Sequence, residues 1–220
     1  MCFSASASLI AGTTLSAVGA VTLTKVKRKE EIPFAVMPLL FGIQQISEGL
    51  IWLSFQFHTP FLNSIMTYVF SLFSHVVWPI LVPFAIVLLE TVPLRKRILY
   101  GLQALGIAVG LYLLYFLVRF PVTSEILNRS ISYESPHFYL IAIMTAYFAA
   151  TLGSPLLSSN KIINLFGIMA LLAAVAANGF YATTFISVWC FFAAVVSLMI
   201  YLYFAYPHKT YMSWNSKAKK

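Results

Sequence analysis

The sequence predicts an all-α protein, a bundle of seven transmembrane helices with the N-terminus outside and the C-terminus in the cytoplasm. Three observations lead there. First, 60% of the 220 residues are hydrophobic and 9% are charged, against roughly 45–50% and about 25% in soluble domains. Second, the apolar residues fall in long runs divided by short polar clusters, the pattern of a chain that crosses a bilayer repeatedly. Third, Lys and Arg collect beside alternate ends of those runs. Lys25, Lys27, Arg28, Lys29, Arg95, Lys96, Arg97, Lys161, Lys209, Lys217, Lys219 and Lys220 fall on one side, and only Arg119 and Arg129 on the other. Positive charge marks the cytoplasmic side.

The helices follow in order. The first covers residues 3–24 and is closed by the basic cluster KVKRK. Small residues at Ser4, Ser8, Gly12, Ser16 and Ala20 give it a smooth stripe for close helix approach. The second covers 33–54. The third, 60–89, opens at Thr59-Pro60 and contains Pro79 and Pro83, which predict a kink. The fourth, 98–118, carries a GxxxG pair, Gly106 and Gly110, suited to packing within the chain or to a homo-oligomer. The fifth, 136–152, starts at Ser135-Pro136 and ends at Gly153 and Pro155. The sixth, 162–177, has Asn160 as its cap. The seventh, 183–206, stops at Pro207. Residues 1–206 form the transmembrane domain and 207–220 a basic cytoplasmic tail. The expected location is the inner (plasma) membrane, with the lipid bilayer as partner. The net charge of +8 belongs to topology, because the basic residues flank apolar runs and form no phosphate-binding stripe; nucleic acid is not an expected partner.

The polar residues of the second helix are the candidate site. In FGIQQISEGLIW, residues 41–52, Gln44, Gln45, Glu48 and Trp52 share one helical face. An ionisable group at that depth costs roughly 2.5–3.5 kcal/mol facing lipid, so the face must turn toward other helices or a cavity. Glu48 lies roughly 9 Å from the outer end of its helix at 1.5 Å per residue. The third helix brings Ser74, His75 and Trp78 to a similar depth, and the short loop between the two makes them antiparallel neighbours. The expectation is a Glu48–His75 pair flanked by Gln44, Gln45, Ser74 and Trp78, able to serve as a proton relay, a ligand site or a structural network.

Metal binding is a further expectation. Cys2, Glu48, His75 and His137 are expected toward the outer side and have the donor chemistry for zinc or another divalent ion, although no HxxxH, HExxH or CxxC spacing occurs. Cys2 and Cys190 are the only cysteines, too few for a disulfide framework. The segment 119–135, the longest connection, is expected to act as a lid. The chain contains no aspartate, which excludes aspartate-dependent hydrolase centres, and its last helix has no lysine for a retinal Schiff base.

The opening MCFSASAS, the basic cluster near residue 28 and PLLFGIQQISEGLIW together resemble a family of uncharacterised, mostly bacterial integral membrane proteins. Its members begin Met-Cys-Phe-Ser-Ala and carry Gln-x-x-x-Glu-Gly-x-x-Trp in the second helix. The matching positions are Gln44, Glu48, Gly49 and Trp52, with HVVWP from His75 to Pro79 as a further match. The resemblance implies a multi-pass membrane protein of unknown activity and groups Cys2 with Glu48 and His75. Three functional readings stay open at this point. One is binding or translocation of a small polar solute, metal ion or proton. Another is a metal-assisted intramembrane enzyme. The last is a sensor or assembly protein whose polar cluster is structural.

Overall fold

The computed structural model describes residues 4–127, 129–135, 138 and 140–205. Cys2, His137 and the basic tail lie outside the described residues. The chain is mainly helical, and among the described residues six helices are long and apolar enough to cross a membrane. The fifth expected helix forms a shorter element.

Helix α1, Ala5–Thr24, lies against α3, Met37–Gln56. Its buried face is Ser8, Gly12, Leu15, Gly19 and Thr22, while Ala20 is exposed. The expected stripe of every fourth residue therefore holds only for its middle. A fourfold spacing drifts by about 40° per step on a 3.6-residue helix, and Gly19 takes the place expected of Ala20. A Cβ on Gly12 would press on Ile46 and on the Gly42 carbonyl, and one on Gly42 on the Ser16 backbone. The two backbones thus meet at paired glycines. Before α3, the short helix α2, Ile32–Ala35, ends at Val36. Pro38, two residues on, has no N–H to offer the Phe34 carbonyl, so the chain bends there.

The expected kink of the third helix takes a specific form. Helix α4, Pro60–Leu72, passes through a π-helical turn, Phe73–Val77, into α5, Trp78–Leu89. In the π register the Trp78 N–H bonds to the Phe73 carbonyl. The next donor would come from residue 79, which is proline. The Ser74 carbonyl is left without a backbone donor and accepts the Tyr147 hydroxyl instead. Pro83 similarly frees the Pro79 carbonyl. Helix α6, Pro93–Arg119, closes on that point, because only a glycine at 106 lets its backbone reach the Pro79 oxygen. Gly110 sits one turn further along, against Ile80.

The segment expected as a lid is a β-hairpin. Strand β1, Thr123–Leu127, pairs antiparallel with β2, Ser130–Glu134, with Leu127 opposite Ser130. Arg129 in the turn has φ 63°. Four consecutive residues of β2 are buried, Ser130 to Tyr133, so both its faces are covered. The hairpin packs on α4 and on the following helical segments. Thr67 and Ser124 share a hydrogen bond of 2.8 Å, and Ser132 bonds to the Thr183 carbonyl at 3.2 Å.

Beyond the hairpin, α7, Ile141–Thr151, begins later than the expected start at 136, and α8, Gly153–Leu156, continues it past Leu152. Helix α9, Lys161–Phe180, is capped as expected: the Asn160 side chain accepts from the Ile162 and Ile163 N–H groups at 3.0 and 3.4 Å. The last apolar run is α10, Phe185–Val196, and α11, Leu198–Ala205, divided at Ser197.

The apolar interior falls into two main clusters. One, at the hairpin end, contains Ile51, Phe70, Tyr133, Tyr147 and Trp189. The other, at the opposite end, contains Phe34, Phe41, Trp78, Ile86 and Phe166. Along α3, Phe41 belongs to the second cluster and Ile51 to the first. Gln44, Gln45 and Glu48 lie on the seam between them.

Candidate functional site

Every polar residue expected on the inner face of α3 is buried. Gln44 and Gln45 are fully shielded, and Glu48 is 1% exposed. Trp52 is half-buried and packs on the cluster at the hairpin end. Ser74, His75 and Trp78 are buried as well. The expected neighbourhood of α3 and the third helix is real: the Trp78 indole N–H donates to Gln44 Oε1 at 2.7 Å, and the Trp78 ring stacks on Phe41 with centroids 3.7 Å apart.

The expected Glu48–His75 pair is not joined by a hydrogen bond or an ion pair. The one ion pair among the described residues is Arg28–Glu31, and no hydrogen bond joins Glu48 to His75. His75 Nδ1 lies 2.8 Å from Ser74 Oγ, and its ring packs on Phe138 with centroids 4.4 Å apart. Glu48 takes a hydrogen bond at Oε1 from the Ser187 hydroxyl of α10. Gln45 and the Tyr133 hydroxyl also act on this carboxylate, at geometry short of a full hydrogen bond. The physical reason for the changed pairing is the π turn. It adds a residue to the helical turn and so re-aims the side chains around it, and α10 and the hairpin reach Glu48 instead.

Ser187, Tyr133, Tyr147 and Cys190 are the site residues that the sequence reading missed or set apart. Ser187 and Cys190 are three residues apart on α10 and share a helical face. The Cys190 thiol is buried and lies close enough to Gln44 and Glu48 to interact with both. Tyr133 reaches the site from β2, held by a stacked contact with Phe70 at 4.3 Å.

The cluster is under-satisfied. Gln44 Nε2, both polar atoms of Gln45, Glu48 Oε2 and His75 Nε2 are buried with no hydrogen-bond partner among the described residues. A buried polar atom left unpaired costs roughly 1–3 kcal/mol, and native interiors hold few of them. Here several concentrate on two neighbouring elements. Among the described residues no group of three or more His, Cys, Asp or Glu side chains is arranged to hold a metal ion. The expected set of Cys2, Glu48, His75 and His137 has two of its members outside the described residues.

Beside the polar cluster lies an apolar cavity of about 40 Å³. Phe41, Trp78, Tyr147, Phe166, Trp189 and Cys190 contribute to its walls. Trp78 and Cys190 stand between this cavity and the polar cluster; Gln44, Gln45, Glu48 and His75 do not line it.

Fold and site together define a class: a helical protein with, among the described residues, six helices long and apolar enough to span a bilayer, and a buried polar cluster around one carboxylate. The chain belongs to a family of unknown function, DUF6629, whose model matches residues 1–214. No curated protein and no solved structure matches it.

Proposed function

We propose that this is a multi-pass protein of the plasma membrane that binds a small polar solute or a proton in an occluded site at Glu48 and carries it across. The observation that supports this reading most is the set of unpaired buried polar atoms on Gln44, Gln45, Glu48 and His75. A purely structural network would satisfy its members with one another. This one leaves several donors and acceptors without a partner among the described residues, and a bound polar ligand would satisfy them. Its place midway along α3, between two apolar clusters, matches the usual position of solute sites in helical transporters.

The proposed topology is seven crossings with the N-terminus outside and the C-terminus in the cytoplasm. Large apolar side chains face outward, Val118 being 80% and Ile141 86% exposed, which suits contact with acyl chains. Positions 141–156, the run of α7 and α8, extend about 24 Å at 1.5 Å per residue, close to the hydrocarbon thickness of roughly 30 Å. With that run as the seventh crossing, Lys25 to Lys29, Arg95 to Arg97 and Lys161 share one side.

The test is flux in proteoliposomes. Purified wild type and Glu48→Gln are reconstituted with an entrapped pH-sensitive dye, under imposed gradients of protons and of small polar solutes. The reading expects flux from wild type and at least a tenfold loss in the variant. Equal behaviour of the two proteins, flux or none, contradicts it.

A further inference from the structure

We propose that the end of the bundle opposite the hairpin is a seat for phospholipids of net negative charge. Their phosphates lie on the cations at the start of α6 and α9, and their acyl chains run along the apolar side chains beside them. This rests on the reading that the helices lie in a bilayer, and not on what Glu48 binds.

The first argument is the charge left uncompensated. Among the described residues this end carries the basic residues of 25–29 and 95–97 and Lys161, against Glu30, Glu31 and Glu90. The hairpin end carries Arg119 and Arg129 against Glu125 and Glu134. Orientation in a membrane depends on the cations and little on the acids, so the disposition of the acids is a separate observation. Glu31 and Glu90 are buried, and Glu30 is the exposed one of the three. Glu31 meets the Arg28 guanidinium at 2.8 Å and takes the Lys27 and Arg28 N–H groups at 3.1 and 3.2 Å. Glu90 takes the N–H groups of Thr91, Val92 and Ser159 and the Ser159 hydroxyl, all within 2.9 Å. Both carboxylates are thus turned to backbone donors, one guanidinium and one hydroxyl. Lys96, Arg97 and Lys161 are in no ion pair with any described residue. A cationic surface not neutralised from within attracts anionic headgroups.

The second argument is that the same contacts gather the cations. Glu90 ties the turn before α6 to Ser159, just before α9, and Arg95 Nη1 donates to the Leu157 carbonyl at 3.2 Å. The starts of α6 and α9 are therefore neighbours, and they bring Lys96 and Arg97 toward Lys161. A guanidinium fork beside ammonium groups suits phosphate oxygens. The third argument separates a lipid from a free phosphate. Leu94 is 70% and Ile98 48% exposed. They lie four apart on α6, with Arg97 three from Leu94, so the three share a face. That face changes from charged to apolar within one turn, as a lipid changes from headgroup to acyl chain. A free phosphate would use the cations and leave Leu94 and Ile98 bare.

The experiment takes the purified full-length protein, delipidated in a non-ionic detergent, and offers it phosphatidylglycerol and phosphatidylcholine in equal amounts. Retained lipid is counted by native mass spectrometry. The expected result is a preference for phosphatidylglycerol that weakens as salt is raised. The combined variant Lys96→Gln, Arg97→Gln and Lys161→Gln is expected to lose at least about tenfold of that preference, given roughly fivefold per Lys or Arg near a membrane surface. Arg119→Gln with Arg129→Gln, at the hairpin end, is expected to keep it. Should the triple variant fail to fold, Lys27→Gln with Lys29→Gln and the salt series decide the matter. Equal retention of the two lipids, an undiminished preference in the triple variant, or an equal loss in the hairpin-end variant overturns the proposal. Displacement of phosphatidylglycerol by inorganic phosphate at matched concentration also overturns it, in favour of a free-phosphate seat. The bilayer reading fails separately, if the protein stays in solution without detergent. Equal lipid retention by a protein that needs detergent overturns this proposal and leaves that reading standing.

Discussion

Glu48 takes its one full hydrogen bond among the described residues from a serine. Ser187→Ala removes that donor to Oε1, at a cost of about 1–3 kcal/mol. The midpoint of thermal unfolding in detergent is expected to fall accordingly, and an unchanged midpoint would show that this bond is not made. Trp78→Phe is a parallel case: it keeps an aromatic ring against Phe41 and strands Gln44 Oε1, for a similar expected loss. These residues were unequally legible. Gln44, Gln45 and Glu48 announce themselves because polar groups facing lipid are costly, so an inward face follows from spacing alone. Ser187 sends no such signal. A lone serine or threonine in an apolar helix can bond to its own i−4 carbonyl, as Ser16 does to Gly12 and Thr145 to Ile141. Which hydroxyl instead reaches a distant carboxylate is decided by packing.

At the scale of elements, prolines and glycines do most of the positioning. The kink in the third helix was readable from Pro79 and Pro83. Its π form was not, because that depends on Tyr147 taking the freed Ser74 carbonyl, a contact between segments far apart in sequence. Gly106→Ala is expected to destabilise by several degrees in melting temperature, since its Cβ would strike the Pro79 carbonyl. Gly101→Ala, on the same helix with open space around it, is expected to be neutral or slightly stabilising. Equal effects at the two positions would contradict the close approach of α6 to the kink. The α5–α6 turn carries a second device. Burial pushes the Glu90 carboxyl up, but the hydrogen bonds from Ser159, Val92 and Thr91 outweigh it and hold the pKa below its ordinary 4.5. A carboxyl whose folded pKa is depressed stabilises the fold above the unfolded value and loses that contribution as pH falls through the folded one. Wild type should therefore lose more stability than Glu90→Gln as pH drops below about 4.5, in melting curves run at matched ionic strength. Parallel pH profiles would rule out the clasp. The hairpin was missed for a related reason: two five-residue strands with mixed polar and apolar residues give little periodicity, and β2 is buried on both faces, so the usual alternation is absent.

The molecule as a whole divides its interior in two and places its least satisfied polar atoms on the seam. The long apolar helices were legible in composition, because hydrocarbon thickness sets run length. The short α7, Ile141–Thr151, was not, because Leu140 is apolar yet stands outside the helix as its N-cap. Labelling of single cysteines by a membrane-impermeant maleimide in intact cells checks the proposed topology. A cysteine replacing Ser124 in the hairpin is expected to react from outside, and one replacing Lys96 only after the membrane is opened. The reverse pattern would invert the assignment.

The central claim is that the buried polar atoms around Glu48 form a site for a bound molecule. The most direct measurement is an experimental density map of the purified protein. The account predicts non-protein density in contact with Glu48 Oε2 and Gln45. A seam without such density, in which Gln45, Glu48 and Tyr133 satisfy one another at full hydrogen-bond geometry, would contradict it.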